Sequence, residues 1–193
     1  MFRPTRLFLA MALCGTIALT SQSRAHAATL LPAPPPGAIC QTTGTGTLCH
    51  GSETFNVTNA PTGISCGAFE VLATFSGTVT YELRYNAAGL GTEGTFHENV
   101  LGTYINSVTA KTITNNGHAT VVDIFGTPGD QSTVTQTLNG LLGIATGRQF
   151  GLVGHDVGTI TFDPNGNILF EGGPHNSIDD PAGFAQAVCT ALS

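Results

Sequence analysis

The chain has 193 residues, six of them Lys or Arg and twelve Asp or Glu, for a formal net charge of −6. So few cations cannot neutralise a row of phosphates, which argues against nucleic acid and against anionic membrane surfaces as partners. Hydrophobic residues make up 41% and charged residues only 9%, the opposite of a disordered composition and enough for one domain with a real core.

Arg3 and Arg6 precede the apolar run Leu7–Leu19, which is followed by the small-x-small site Ala25-His26-Ala27. Residues 1–27 are therefore expected to be a signal peptide. The run is shorter than the roughly 20 residues that span a bilayer, and Cys14 follows Leu13 rather than the small residue of a lipidation site. Loss of Arg3, Arg6 and Arg24 leaves Arg84, Lys111 and Arg148 against all twelve acids, a net charge near −9. The mature protein is expected to be secreted, to the extracellular space or the cell envelope, with no transmembrane segment after cleavage. Residues 28–39 are Pro-rich and favour extended polyproline geometry, so they read as a stiff linker. Residues 40–193 are left as the secreted β domain.

Four cysteines lie in that domain: Cys40, Cys49, Cys66 and Cys189. An even number in an exported chain reads as two disulfides, for which three connectivities exist. The segment from Cys40 to Cys49 is short and Gly/Thr-rich and closes at small entropic cost, which would leave Cys66 to hold the C-terminal segment through Cys189. A zinc site is the poorer reading, because no Cys-x-x-Cys spacing occurs.

Short runs of Val, Thr, Ile, Phe and Tyr, punctuated by Gly, Asn and Pro, give candidate strands near 52–58, 68–75, 77–85, 94–101, 103–114, 118–125, 131–138, 148–153, 157–162 and 167–172. Phe69, Val71, Ala73 and Phe75 alternate with polar positions, as do Val79, Tyr81, Leu83 and Tyr85, the pattern of an antiparallel sheet with one buried face. Two turns carry a mechanism. Asn115-Asn116-Gly117 suits a hairpin that sets Val108 opposite Ile124, Ala110 opposite Val122, and Lys111 on one side with Asp123. Asp163-Pro164-Asn165-Gly166-Asn167 suits a three-residue loop with a Gly bulge. That loop pairs Phe162 with Ile168, Thr161 with Leu169, Ile160 with Phe170 and Thr159 with Glu171, because a one-residue slip would invert every side chain. Asp180-Pro181 then starts a short helix, Asp as cap and Pro in the first turn, with Phe184 and Val188 on one face. The fold expected is all-β: a single antiparallel β-barrel or strongly curled sheet of about 8–10 short strands with a short C-terminal helix. A β-sandwich is the alternative.

The run DVGTITFDPNGNILFEGGPH, with Cys66-Gly67 upstream and Val188-Cys189 near the end, resembles a group of small secreted bacterial β-rich proteins. The resemblance covers residues 52–192, implies no activity or cofactor, and agrees with a Cys66–Cys189 bridge; Cys40 and Cys49 lie outside it.

Motifs for chemistry are few. Asp163-x-Asn165-x-Asn167 begins like a calcium loop, but Ile168 and Pro174 stand where that loop needs Gly and Glu. No G-x-S-x-G occurs, and Gly89-Leu90-Gly91-Thr92-Glu93-Gly94 lacks the helix that a dinucleotide motif requires. His97 and Glu98 are adjacent in a strand and point to opposite faces. Extending the late hairpin sets His155 opposite His175, with Glu171 on the same side two pairs away. These three residues, His155, His175 and Glu171, are the candidate polar binding site. Two histidines alone make an incomplete zinc site, so neither metal nor cofactor is expected, and no catalytic residue can be named. The reading this supports is an exported, non-catalytic β-barrel that binds an apolar small molecule or a cell-envelope component. A cofactor-independent isomerase- or cyclase-like barrel, and a structural or adhesive surface protein, are the alternatives.

Overall fold

A computed structural model describes residues 29–193; the expected signal peptide, residues 1–27, lies outside the described residues. Eight strands follow one another: β1 (Ile39–Thr43), β2 (Gly46–Ser65), β3 (Glu70–Asn86), β4 (Gly91–Asn106), β5 (Thr112–Phe125), β6 (Val134–Gly147), β7 (Gly151–Phe162) and β8 (Ile168–Gly172). Each pairs antiparallel with its chain neighbours, an up-and-down order that hairpin turns alone can connect. β1 and β8 are both edges, so the sheet is open rather than a closed barrel, and among the described residues no second sheet makes a sandwich. Helices α1 (Asn176–Asp179) and α2 (Pro181–Leu192) complete the chain.

The sheet is curled, as its contacts with α2 require. The helix touches β2, β5 and β7. In a flat sheet, strands about 4.8 Å apart would place β2 and β7 about 24 Å from each other, more than twice a helix diameter of about 10 Å. Curvature brings both walls to the helix, which closes one end of the concavity. Val188, Ala191 and Leu192 of α2 pack there against Phe69, Val71 and Ile113, with Phe184 alongside. The expected helix start is found: Gly183 N donates to the Asp180 carboxylate (2.9 Å), with Pro181 in the first turn. Cys66–Cys189 ties α2 to the end of β2, and Cys40–Cys49 joins directly opposed residues of β1 and β2. Two bridges of this kind suit an oxidising compartment.

The strands are longer than expected because glycines taken as breaks lie inside them. The segments 68–75 and 77–85 are mostly one strand, β3, and 94–101 continues through Gly102 to the end of β4. A Cβ on Gly77 would meet the Phe55 ring at 2.7 Å, and one on Gly102 would meet the Phe75 ring at 2.7 Å. These glycines make room for aromatic rings on the neighbouring strand; they do not turn the chain. The segment 148–153 contains the β6–β7 turn, and Gly46–Gly51, unassigned before, begins β2.

The expected hairpin at Asn115-Asn116-Gly117 is not formed. Those residues lie within β5, at a bulge opposite β6. The chain reverses instead at Ser107–Lys111, so that Ile105 pairs with Thr112 and Thr103 with Thr114. The buried Asn106 side chain accepts from Val108 N (2.8 Å) and Thr109 N (2.9 Å) and donates to Leu192 O (3.1 Å). An Asx turn fastened to the C-terminal helix thus outcompetes the Asn-Gly signal. Val108, 72% exposed, does not face Ile124, and Ala110 and Lys111 likewise lie outside the β5 ladder.

The Pro-rich segment is docked at its start. Leu31 N donates to Gly89 O (2.9 Å), Gly91 N to Leu31 O (2.7 Å) and the Tyr85 hydroxyl to Pro32 O (3.0 Å). It packs at the β3–β4 turn. Among the described residues no helix is long and apolar enough to cross a membrane.

Candidate functional site

Period-two alternation puts one face of every strand inside the curl. In β3, Ala73, Phe75, Val79 and Tyr81 face inward, and their partners Tyr104, Gly102, Glu98 and Phe96 in β4 share that face. A cavity of about 550 Å³ opens there, lined by Phe55, Val57, Phe75, Val79 and Val100, with Glu53 and Glu98 also in its wall. The two glutamates flank Val79, each paired with it from one side. Burial, then the charge of Asp123, pushes the Glu98 carboxyl above its ordinary value. Asp123 is raised too by burial, against the lowering effect of a hydrogen bond from Gln136 Nε2 (2.9 Å).

The hollow continues toward α2. A second cavity of about 280 Å³ shares Ala60, Pro61 and Phe75 with the first and reaches Tyr104 and Phe184. A third, about 160 Å³, is polar, with Tyr104, Asn115, Asp156 and Ser177 in its wall. The Tyr104 hydroxyl accepts from Asn115 Nδ2 (3.0 Å). Burial first, then the Asp156 charge, pushes its pKa up to about 12, so the phenol stays protonated. Asp156 accepts from Ser177 Oγ (2.6 Å) and Ser177 N (2.9 Å), which fixes the start of α1 against β7. The hollow therefore runs from an apolar chamber to a small polar end, where the buried Nδ1 of His155 has no hydrogen-bond partner.

The residues singled out in the sequence lie at the β7–β8 edge. Phe162 pairs with Ile168 as expected, but a bulge then shifts the ladder: Thr161 pairs with Phe170, Ile160 with Glu171 and Thr159 with Gly172. Leu169 is the extra residue and is 62% exposed. The argument from slip cost fails because β8 is an edge strand with four of five residues exposed; inverting side chains is costly only where one face is buried. His175 consequently faces Asp156, not His155. The proposed His155/His175 pairing is thus overturned. His155 lines the third cavity beside Asp156, its N donating to Asn176 Oδ1 (2.9 Å) and its buried Nδ1 without a hydrogen-bond partner.

Glu171 is a closer member than expected. Its Oε1 lies 3.1 Å from His175 Nδ1, and Asp179 joins them, its carboxylate accepting from His175 N (3.0 Å). At 3.1 Å the imidazole and Glu171 are close enough for a hydrogen bond but misaligned for one, so neither ring nitrogen of His175 has a hydrogen-bond partner. The calcium-like Asp163 stretch is a turn: Asn167 N and Nδ2 both donate to the Asp163 carboxylate (2.7 Å each).

Sequence reasoning missed the cavity acids. Their signal was present in the phase of alternation: Glu98 stands between Phe96 and Val100, and Glu53 before Phe55 and Val57, each where an apolar residue belongs. Asp179 and Tyr104 carry no such mark, since they join their sites through the turn after β8 and the curl of the sheet. Comparison with family models, curated proteins and solved structures finds no match.

Proposed function

We propose that this protein is an exported, non-catalytic β protein that binds an apolar small molecule in the concavity of its curled sheet. The observation that carries this reading is the chamber of about 550 Å³ walled by Phe55, Val57, Phe75, Val79 and Val100, within the size range of small-molecule sites. An interior left open argues against a purely structural barrel, whose inward side chains would fill it. The imidazole–carboxylate pair of His175 and Glu171 stands at the β8 edge, and His155 and Asp156 stand in the small polar end, so the chamber itself offers no imidazole to an acid–base reaction of the isomerase type.

The polar groups set the ligand class. Glu53 and Glu98 are in the wall, and none of Arg84, Lys111 or Arg148 is. A fatty acid would bring its carboxylate beside two others without a cation to receive it, whereas a neutral donor or an alkylamine finds acceptors. The test is fluorescence titration of the mature protein with a neutral naphthylamine dye, with competition by an alkylamine and a fatty acid of equal chain length. Saturable binding, displaced better by the amine and lost in Val100→Trp, is expected. No saturation, or binding unchanged in Val100→Trp, would end the reading; a fatty acid competing better would end the assignment of ligand class.

A further inference from the structure

We propose that Glu171, His175 and Asp179 form a binding site for a divalent transition-metal ion, of the zinc type, at the junction of β8 and the C-terminal helices. The three residues are spaced four apart, yet no single helix carries them. Glu171 is on the edge strand, His175 is the residue that bridges to Asp156 after the Gly172-Gly173-Pro174 turn, and Asp179 ends α1. The turn folds the chain back so that one ligand atom from each lies within 4.8 Å of those of the other two.

Two features point to an ion rather than to a plain acidic cluster. His175 is wholly buried, at 0% exposure, and both ring nitrogens are without a hydrogen-bond partner. A buried polar group in that state requires explanation, and an ion at Nδ1, the nitrogen beside Glu171, accounts for one of the two. The second feature is the carboxylate arrangement. Glu171 Oε1 sits 3.1 Å from Nδ1 yet off the hydrogen-bonding direction, while Asp179 is held in place by His175 N (3.0 Å). Bonds of about 2.1 Å to a tetrahedral zinc separate its ligand atoms by about 3.4 Å. The present spacings reach that with rotation of the two carboxylates, both of which belong to exposed residues.

The donor set chooses among metals. One imidazole with two carboxylates suits Zn²⁺ and its first-row neighbours, while Ca²⁺ and Mg²⁺ favour all-oxygen shells. Three protein ligands leave a coordination position for water. The site is separate from the chamber and independent of what the chamber binds. The metal-free alternative is a plain side-chain cluster, and it gives no stoichiometric response to added metal.

The decisive experiment uses chelator-treated mature protein with both disulfides intact. Zn²⁺ is titrated by calorimetry and by thermal melting, with Mg²⁺ as control, into wild type, Glu171→Gln and Asp179→Asn. Both substitutions keep a hydrogen-bond acceptor and fall on exposed side chains, so folding is preserved. The expected result is one Zn²⁺ per chain, a raised melting temperature, no Mg²⁺ response, and affinity reduced at least tenfold in each variant, since even outer-shell partners are worth about 10–100-fold. Absence of stoichiometric Zn²⁺ binding overturns the proposal. So does Zn²⁺ binding that is unchanged in both variants, which would place the ion on other histidines such as His50, His97 or His118.

Discussion

Replacing Cys66 and Cys189 together by Ala should cost far more stability than replacing Cys40 and Cys49. A cross-link removes denatured-state entropy of about 2.1 cal/mol/K plus 1.5R ln n for a loop of n residues. The Cys66–Cys189 bridge spans 123 residues, which gives about 4.9 kcal/mol at 25 °C. The Cys40–Cys49 bridge spans nine, which gives about 2.6 kcal/mol. Packing works against this difference, because Cys49 is fully buried and Cys189 only partly so; truncating Cys49 adds about 1 kcal/mol and leaves the order intact. Against a typical total of about 5–15 kcal/mol, the long bridge is a third of the stability or more. The assay is equilibrium urea unfolding of both double-alanine proteins, followed by circular dichroism. The 66/189 protein should also show a larger m-value, because its denatured chain is no longer looped and exposes more surface. If the 40/49 replacement costs as much as the 66/189 replacement, the loop-entropy argument is wrong for this fold.

Glu98→Gln should raise the melting temperature at neutral pH. Burial raises the Glu98 pKa in the fold, so folding favours the protonated form; the cost is absent below the ordinary value of 4.5 and appears as pH rises through the raised one. Melts of the two proteins should therefore converge in acid, and a constant offset at all pH values would refute the cause given. Alkaline spectrophotometric titration should find the tyrosine that ionises near pH 12 gone in Tyr104→Phe; because the pKa is raised in the fold, its stabilising effect is complete below 10 and lost as pH rises through about 12. Asn106→Ala removes two turn hydrogen bonds and the bond to Leu192 O. At about 1 kcal/mol each it should cost about 3 kcal/mol in urea unfolding, and a loss below 1 kcal/mol would show that the turn does not depend on it.

Much of the fold can be read from local chemistry. The alternation of Val71 through Tyr85 and the cap at Asp180 act over short range, and each leads to the observed element; the even cysteine count matches the two bridges. What fails does so for a physical reason. Gly77 and Gly102 look like strand ends, but their role is defined by phenylalanine rings on neighbouring strands. The Asn-Gly pair at residues 116 and 117 looks like a turn, but Asn106 makes a better one with help from the far end of the chain. The late hairpin follows its expected register for one pair and then slips, because an exposed edge does not punish the slip. The site residues divide in the same way. His175 and Glu171 are close because both belong to one local turn, while the partner supplied by extrapolating the ladder, His155, is lost at the bulge. The chamber is invisible locally, since its walls meet only through the curl.

The Cys66–Cys189 bridge also fixes the path of mechanical load. A pull applied between the two ends of the chain crosses from Cys40 to Cys49, travels along β2 to Cys66, crosses the second bridge to Cys189 and leaves by the last residues of α2. Strands β3 to β8 hang on this line as an unloaded loop. Its 123 residues, at about 3.5 Å each, hold back about 430 Å of extension that tension cannot release until the bridge is reduced. The share of the concavity wall that those strands supply is thus kept from full extension while the bridge stands, whereas β2, which carries Phe55 and Val57, lies on the loaded line.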